Sequence, residues 1–424
     1  MEKILADAKK MIMMACCLLV SAFVSAQQKE LPIEECYRLA KNNYPLLKQM
    51  GIIEKTKNLS LDNASKGYLP QISFSGQVTY QSDVTEIPVS IPGNSPLSKD
   101  QYKIYSELTQ PITDIYTIKQ QKELIKANSV SDAQALEAEL YKLKDRINQV
   151  FFGMLVIDAQ IDLTTILKND IQAGIDKTDA AIANGIALKS NADVLKAELL
   201  KTAQRNIELK AARKGYADML GLFINAKVDE NTSLQIPVSQ TISQNINRPE
   251  LKYYDAVKKS IGIQSKLITA RNIPRVNLYV QGGYGKPALN MLKNDFAFYY
   301  IGGIRFNWNL SGLYTIKNER RQLLVNQNQI DIQKEVFLFN TNLSLAQQSN
   351  EINKYKELID TDNEIILLRG KVKTTANSQL ENGTITANDF LSYVNTEDQA
   401  KQGRVLHQYQ FLMAQYIYQS TSGN

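Results

Sequence analysis

One histidine, three cysteines and one tryptophan are all that this chain of 424 residues provides of three residue types. The scarcity excludes whole classes of chemistry. His407 lies among Val405, Leu406, Tyr409 and Phe411 near the end of the last helical pattern, where a packed or surface role is expected. A histidine-based triad or a multi-histidine metal centre is excluded by inventory. Cys16 and Cys17 fall inside an N-terminal apolar run, so Cys36 is the one cysteine of the expected mature chain. It can form neither an internal disulfide nor a cysteine-based zinc site. No phosphate-binding loop is present: Gly282-Gly283 and Gly302-Gly303 sit inside strand patterns and open no helix. The net charge of +6 is not gathered into a basic stretch, which gives nucleic-acid binding no support. These absences predict a non-enzyme without cofactor or metal. No segment beyond residue 26 offers about 18 consecutive apolar residues, so no membrane-crossing helix is expected. Membrane strands are not excluded.

Export is expected from the first 26 residues. Lys9 and Lys10 precede an apolar run from Met11 to Val24, and Val24-Ser25-Ala26 gives small residues before Gln27. This is the layout of a cleaved signal peptide. A lipoprotein reading through Cys16 would leave almost no apolar segment before it.

What is abundant is repetition. Shifted by 204 positions, Pro45-Leu46-Leu47-Lys48 falls on Pro249-Glu250-Leu251-Lys252, Pro70 on Pro274 and Tyr80 on Tyr284. Shifted by 198, Tyr116-Thr117-Ile118-Lys119 falls on the identical Tyr314-Thr315-Ile316-Lys317, and Asn184-Gly185 on Asn382-Gly383. The chain is internally duplicated. The first repeat, 27–247, is expected to hold a helix, strands at 70–82 and 101–112, a long helix at 113–183, a tip at 184–188, a return helix at 189–220 and an equatorial linker at 221–247. The second, 248–424, follows with a helix at 249–272, strands at 274–285 and 296–310, a long helix at 312–381, a tip at 382–386 and a return helix at 387–418.

The strand segments alternate with a period of two. Ile72, Phe74, Val78 and Tyr80 share one face; Ser73, Ser75, Gln77 and Thr79 share the other. Ile304, Phe306, Trp308 and Leu310 likewise oppose Arg305, Asn307 and Asn309. The segment from Tyr102 to Gln110 has the weakest pattern. About ten such residues suit a tilted membrane strand with its apolar face toward lipid. On that reading Ile72, Phe74, Ile304, Phe306 and Trp308 face lipid, while Ser73, Gln77, Arg305 and Asn307 face a lumen. The alternative is a soluble antiparallel sheet with one wet face. Four strands cannot close a membrane barrel, for which about eight is the lower limit, so several chains would have to share one.

The helical segments are unusually long. Leu136, Leu140, Leu143, Ile147, Val150, Met154, Ile157 and Ile161 recur at spacings of four and three, and Leu338, Leu345, Ile352, Ile359 and Ile366 at seven. This is coiled-coil-like periodicity. Roughly 65 helical residues span about 100 Å. Asn184-Gly185 and Asn382-Gly383 interrupt the patterns with residues that tolerate positive φ.

Taken in this order, the elements resemble TolC-type outer-membrane efflux proteins. The tips carry the resemblance: Asn184-Gly185 with Asp193-Val194-Leu195, and Asn382-Gly383 with Asp389-Phe390-Leu391. So do Pro70 and Pro274, each between a helix and a strand. The resemblance implies a mixed α/β membrane protein, a homotrimer with a twelve-stranded barrel in the outer membrane and a twelve-helix tunnel in the periplasm. It further implies docking of the tips (Asn184, Gly185, Asn382, Gly383) to a periplasmic adaptor, and an inner-membrane pump of RND, ABC or MFS type. It places Asp389 at the tunnel-entrance constriction, with Ser392 where a second carboxylate is usual and Asp193 as the counterpart from the first copy. Family members that latch the closed tip do so at positions that are Ile385 and Leu380 here, so such a latch is absent or differently built. For either aspartate a solvated helix-start role is the alternative. The implied function is a passive exit duct for small molecules. A duct for secreted polypeptides would use the same fold. A soluble periplasmic coiled-coil adaptor, the reading from another class, would have one helical hairpin rather than two.

Overall fold

The computed structural model describes residues 30–85, 97–230, 232–243 and 245–424. The expected signal peptide, with Cys16 and Cys17, lies outside them. The elements in chain order are α1 (Ile33–Asn43), a 3-10 turn (Pro45–Leu47), α2 (Lys48–Lys66), β1 (Gln71–Tyr80), β2 (Asp100–Pro111), α3 (Asp114–Tyr141), α4 (Leu143–Ala183), α5 (Lys189–Ile224), α6 (Pro249–Arg271), β3 (Arg275–Lys286), β4 (Ala297–Asn307), α7 (Gly312–Glu381) and α8 (Ala387–Ser422). Two compact units are formed. One comprises Lys48–Ala138 and Pro249–Phe339; the other comprises the residues up to Leu47, Glu139–Arg248 and Asn340–Asn424.

The first of these is the sheet unit. Its strands form one antiparallel sheet in the order β1-β2-β3-β4. Register joins the duplicated halves at its centre, where Ile104 pairs with Tyr284 and Leu108 with Val280. Pairings of Ile72 with Leu108 and of Tyr284 with Phe298 extend the same rows to the edges. Because side chains alternate, these rows align the apolar positions of all four strands on one face. The weak pattern of β2 is thus fixed by its neighbours. Pro70 and Pro274 stand immediately before β1 and β3, and a residue preceding proline is pushed away from helical backbone. The helical part buries small side chains, among them Ala64, Ala127 and Ala270, with Ile118, Leu267 and Leu323. Lys258–Asp331 and Lys334–Asp255 tie α6 to α7.

The second is the helical unit. Its core runs along α4, where Leu143, Ile147, Val150, Met154 and Ile157 are buried with Phe151 and Phe152. In α7 the heptad positions Leu345 and Ile352 are buried, packing with Ala414 and Tyr418 of α8. The remaining positions of this unit, Ile359 and Ile366, are half-buried, as is Leu338 of the sheet unit. Burial pushes the Cys36 thiol up to about 12, with Glu35 and Glu34 adding to the shift, so it stays protonated and inert. The linker is pinned by Arg213, which donates to the carbonyls of Asp229 and Thr232 (3.1 and 2.9 Å) and pairs with Asp158. Leu31 bridges Leu234 in parallel.

Four details differ from the sequence reading. The helix before β1 is two helices around Pro45. The first long helix is divided at Lys142. The last strand ends at Asn307, so Trp308 and Leu310 lie beyond it. Finally, an 18-residue window within 114–183 averages a hydropathy of 1.7, although no equally long run is uninterrupted. Phe151, Phe152, Met154 and Leu155 are buried within the unit, the behaviour of a core helix.

Candidate functional site

Two surfaces carry the sequence-derived sites, and the sheet is the first. Ile72, Phe74, Val78 and Tyr80 of β1 and Phe298, Tyr300, Ile304 and Phe306 of β4 all lie on its apolar face and are exposed, Phe74 at 77% and Phe298 at 86%. In the central strands the polar positions are the less exposed ones: Lys103, Tyr105, Glu107 and Thr109 are half-buried, whereas Tyr102, Ile104 and Leu108 are exposed. In these two strands the apolar face is therefore the more open of the two. A soluble sheet hides its apolar side; this one displays it.

The apolar face carries aromatic side chains at both ends as well as in its middle. Near the β3–β4 turn Tyr284 packs on Phe296 and Phe298 (ring centroids 5.6 and 4.7 Å), and Tyr102 on Phe296. At the opposite end are Phe306 and Trp308, whose indole N–H donates to the carbonyl of Asn272 at 3.1 Å. Leu278, Val280 and Ile304 lie between, together with Phe74 and Tyr300 at the two edges, while Ile104 shares the row of Tyr284. Aromatic side chains at both ends of an apolar strand face are what lipid-facing strands place at the two membrane interfaces.

The opposite face is polar but not bare of rings. Arg305 places both terminal nitrogens on the Glu107 carboxylate (2.7 and 3.0 Å) and its guanidinium 4.2 Å from the Tyr279 ring centre. Ser73, Gln77 and Asn307 share this face by register. Tyr299 lies over Gly283, where an added Cβ would come within 2.7 Å of its ring.

The helical tips form the second surface. Gly185 and Gly383 have φ of +72° and +67°. At each tip two backbone bonds close the helix: Gly185 N–H to Ile182 O and Ile186 N–H to Ala181 O, then Gly383 to Leu380 and Thr384 to Gln379. This left-handed helix stop satisfies carbonyls that would otherwise be orphaned. The two tips touch, because a Cβ on Gly383 would lie 3.1 Å from Ile186.

Asp389, Ser392 and Asp193 are all exposed. Asp389 is the third residue of α8 and completes a capping box with Thr386: its amide donates to Thr386 Oγ1 at 3.2 Å, and its carboxylate accepts from the Thr386 amide at 3.1 Å and hydroxyl at 2.7 Å. Those bonds, the side-chain one foremost, hold its pKa below the ordinary value. Asp193 is the fifth residue of α5, so the register partner of Asp389 is Asn191 instead. Leu380 is buried in an apolar cluster with Leu167, Ile171, Leu195, Phe390 and Val394, and Ile385 packs against it.

Sequence reasoning missed the charged ties beside this cluster. Lys177 of α4 reaches Asn377 and Glu381 of α7 (2.9 and 2.6 Å). Lys373 of α7 bridges Asp170 of α4 and Glu397 of α8 (2.8 and 2.7 Å). Burial lowers the Lys373 pKa, yet its two carboxylate partners outweigh that and leave it raised. No sequence signal marks partners about 200 residues apart, apart from the repeat offset itself. His407 pairs with Asp362 through Nδ1 at 2.6 Å. Among the described residues no group of three or more His, Cys, Asp or Glu is placed to hold a metal.

Comparison with solved structures decides the fold. The outer-membrane channel CmeC of Campylobacter jejuni superposes over 92% of this chain and 85% of its own, with a TM-score of 0.64 and 14% identity. The outer-membrane protein VceC of Vibrio cholerae covers 92% and 96%, at 0.65 and 12%. This chain has the TolC-type channel fold. The MtrE outer-membrane channel of Neisseria gonorrhoeae, solved in its open state, covers 92% and 88%, at 0.63 and 12%. No protein-family profile matches the chain, and no curated protein does. At such low identity the TolC-type likeness is one of backbone, and the side chains described above are this chain's own.

Proposed function

We propose that the chain is the protomer of a homotrimeric channel in the outer membrane of a Gram-negative cell, a passive exit duct for small molecules. The observation that carries this reading is the sheet, with its exposed apolar face, its polar opposite face and its two edge strands, β1 and β4, each paired on one side only. Long unpaired edges invite pairing with another chain. Four strands are too few for a membrane barrel, and three copies supply twelve. On this reading Ile72, Phe74, Ile304 and Phe306 meet lipid, Trp308 meets the interface, and Ser73, Gln77, Arg305 and Asn307 line the lumen. The long helices form a periplasmic tunnel whose tips, at Asn184-Gly185 and Asn382-Gly383, receive an adaptor linked to an inner-membrane pump of RND, ABC or MFS type. Asp389, Ser392 and Asp193 lie at its entrance.

A duct for secreted polypeptides is compatible with the same fold. A soluble adaptor is disfavoured by the second hairpin and by the exposed aromatic face. Light scattering of the detergent-solubilised protein tests the proposal: a protein mass three times that of one chain is expected. A monomeric mass, or recovery with soluble periplasmic contents, would sink it.

A further inference from the structure

The polar face of the sheet carries four charged side chains among its described positions: Lys103, Glu107, Arg275 and Arg305. Arg305 is neutralised by Glu107 at 2.7 Å, and Arg275 faces Asp114 at 3.8 Å. Lys103 is in no ion pair among the described residues. Its place is specific. It pairs in register with Gln77 on one side and Gly285 on the other, one row inside the turn end of the sheet. An added Cβ on Gly285 would come 3.1 Å from Lys103 Cγ, so the lysine stem lies over a glycine. Two rows further in, on the same face, Tyr105 and Tyr299 flank Gly283, and the Tyr299 ring covers that glycine. Among the described residues, a cation with no ion-pair partner therefore stands on the same face as two half-buried phenol rings, the lysine stem and the Tyr299 ring each lying over a glycine.

We propose that Lys103 is a specificity-determining residue of the duct, forming a ring of three like charges near the outer mouth that favours anions, and that the cargo class this mouth suits best is organic anions bearing a planar ring. The inference rests on the trimeric channel reading. With the other described charges of the face paired, the unbalanced charge among the described residues of each polar face is that of Lys103, and a ring of like charges in a pore selects for counter-ions. The lysine is a point charge for a carboxylate, sulfonate or phosphate, and the tyrosine faces offer apolar stacking area beside it.

The test is the reversal potential of the purified full-length trimer in a planar bilayer under a KCl gradient. Lys103→Glu should move the chloride-to-potassium permeability ratio toward potassium by about threefold or more, and Lys103→Gln by less in the same direction. Lys286→Gln, at the same end but on the apolar face, should leave the ratio unchanged. Naphthalene disulfonate should reduce the wild-type conductance, and its half-blocking concentration should rise about threefold or more in Lys103→Gln. A conducting channel whose permeability ratio ignores Lys103→Glu overturns this inference alone. A shifted ratio with block that ignores Lys103→Gln overturns the organic-anion assignment. A protein that forms no conductance overturns the channel reading as well.

Discussion

The two helical tips are copies of one design that have diverged on the side where the chain re-enters a helix. Both leave through a glycine at positive φ with the same pair of backbone bonds. The return differs. Leu188 starts α5 with no side-chain cap, whereas Thr386 starts α8 in a reciprocal capping box with Asp389. Ile186 and Leu188 stand exposed at 64% and 72%, but Ile385 is folded onto the apolar cluster. In the repeat offset Phe390 replaces Ala192, and its ring, 2% exposed, reaches Gly174 of α4. Backbone geometry is what the duplication preserved. The second tip became the anchored one, and the first presents apolar surface outward.

The largest effect that would break this asymmetry is removal of the anchor. Phe390→Ala should cost about 3–5 kcal/mol, the usual range for emptying a packed aromatic site. Hydrogen exchange should then show the second tip opening as readily as the first, and protection that stays unequal would show the anchor lies elsewhere. A smaller effect is expected from the caps. Thr386→Ala should destabilise the start of α8 by about 1 kcal/mol, and Leu188→Thr with Asn191→Asp, which writes the same box into the first tip, should stabilise α5 by a similar amount. Amide protection of the first turns reads both, and a first tip indifferent to the added box would mean that its entry geometry differs.

The smallest effect is one of acidity. Burial raises the Glu397 pKa, but the bonds from Lys373 and Lys401 outweigh it and leave it below the ordinary carboxylate value. The tie from α7 to α8 is therefore fully present above about pH 4.3 and is lost as pH falls through the lower folded value. Tip protection should fall on acidification in the wild type and respond less in Glu397→Gln. An equal response in both would remove Glu397 from the account.

Much of this architecture was legible because it is periodic. Alternation in β1, β3 and β4 is strong enough to assign faces residue by residue, and Asn-Gly marks both tips. What escaped has a common cause. Pairings such as Lys177–Glu381 and Lys373–Asp170 join residues far apart in sequence, and their spacing reflects tertiary packing rather than any local rule. The diagonal reach of Arg305 to Glu107 across β3 depends on strand register, which sequence fixes only once the neighbours are known. The break at Lys142 has no proline or glycine to announce it. Asp389 was legible as a helix-start carboxylate, the alternative held open from the sequence. Its capping box shows that role in full, while an entrance role remains part of the proposal.

The one-sided edges of β1 and β4 have a genetic consequence. On the trimeric reading each protomer supplies one half of two seams, so no copy closes the barrel without both neighbours. A lesion in β4, at Phe298 or Tyr300 for instance, would then spoil assemblies made mostly of sound subunits. Co-expressed defective chains should behave as dominant poisons rather than as silent recessives, and a cell carrying both alleles would lose far more channels than half.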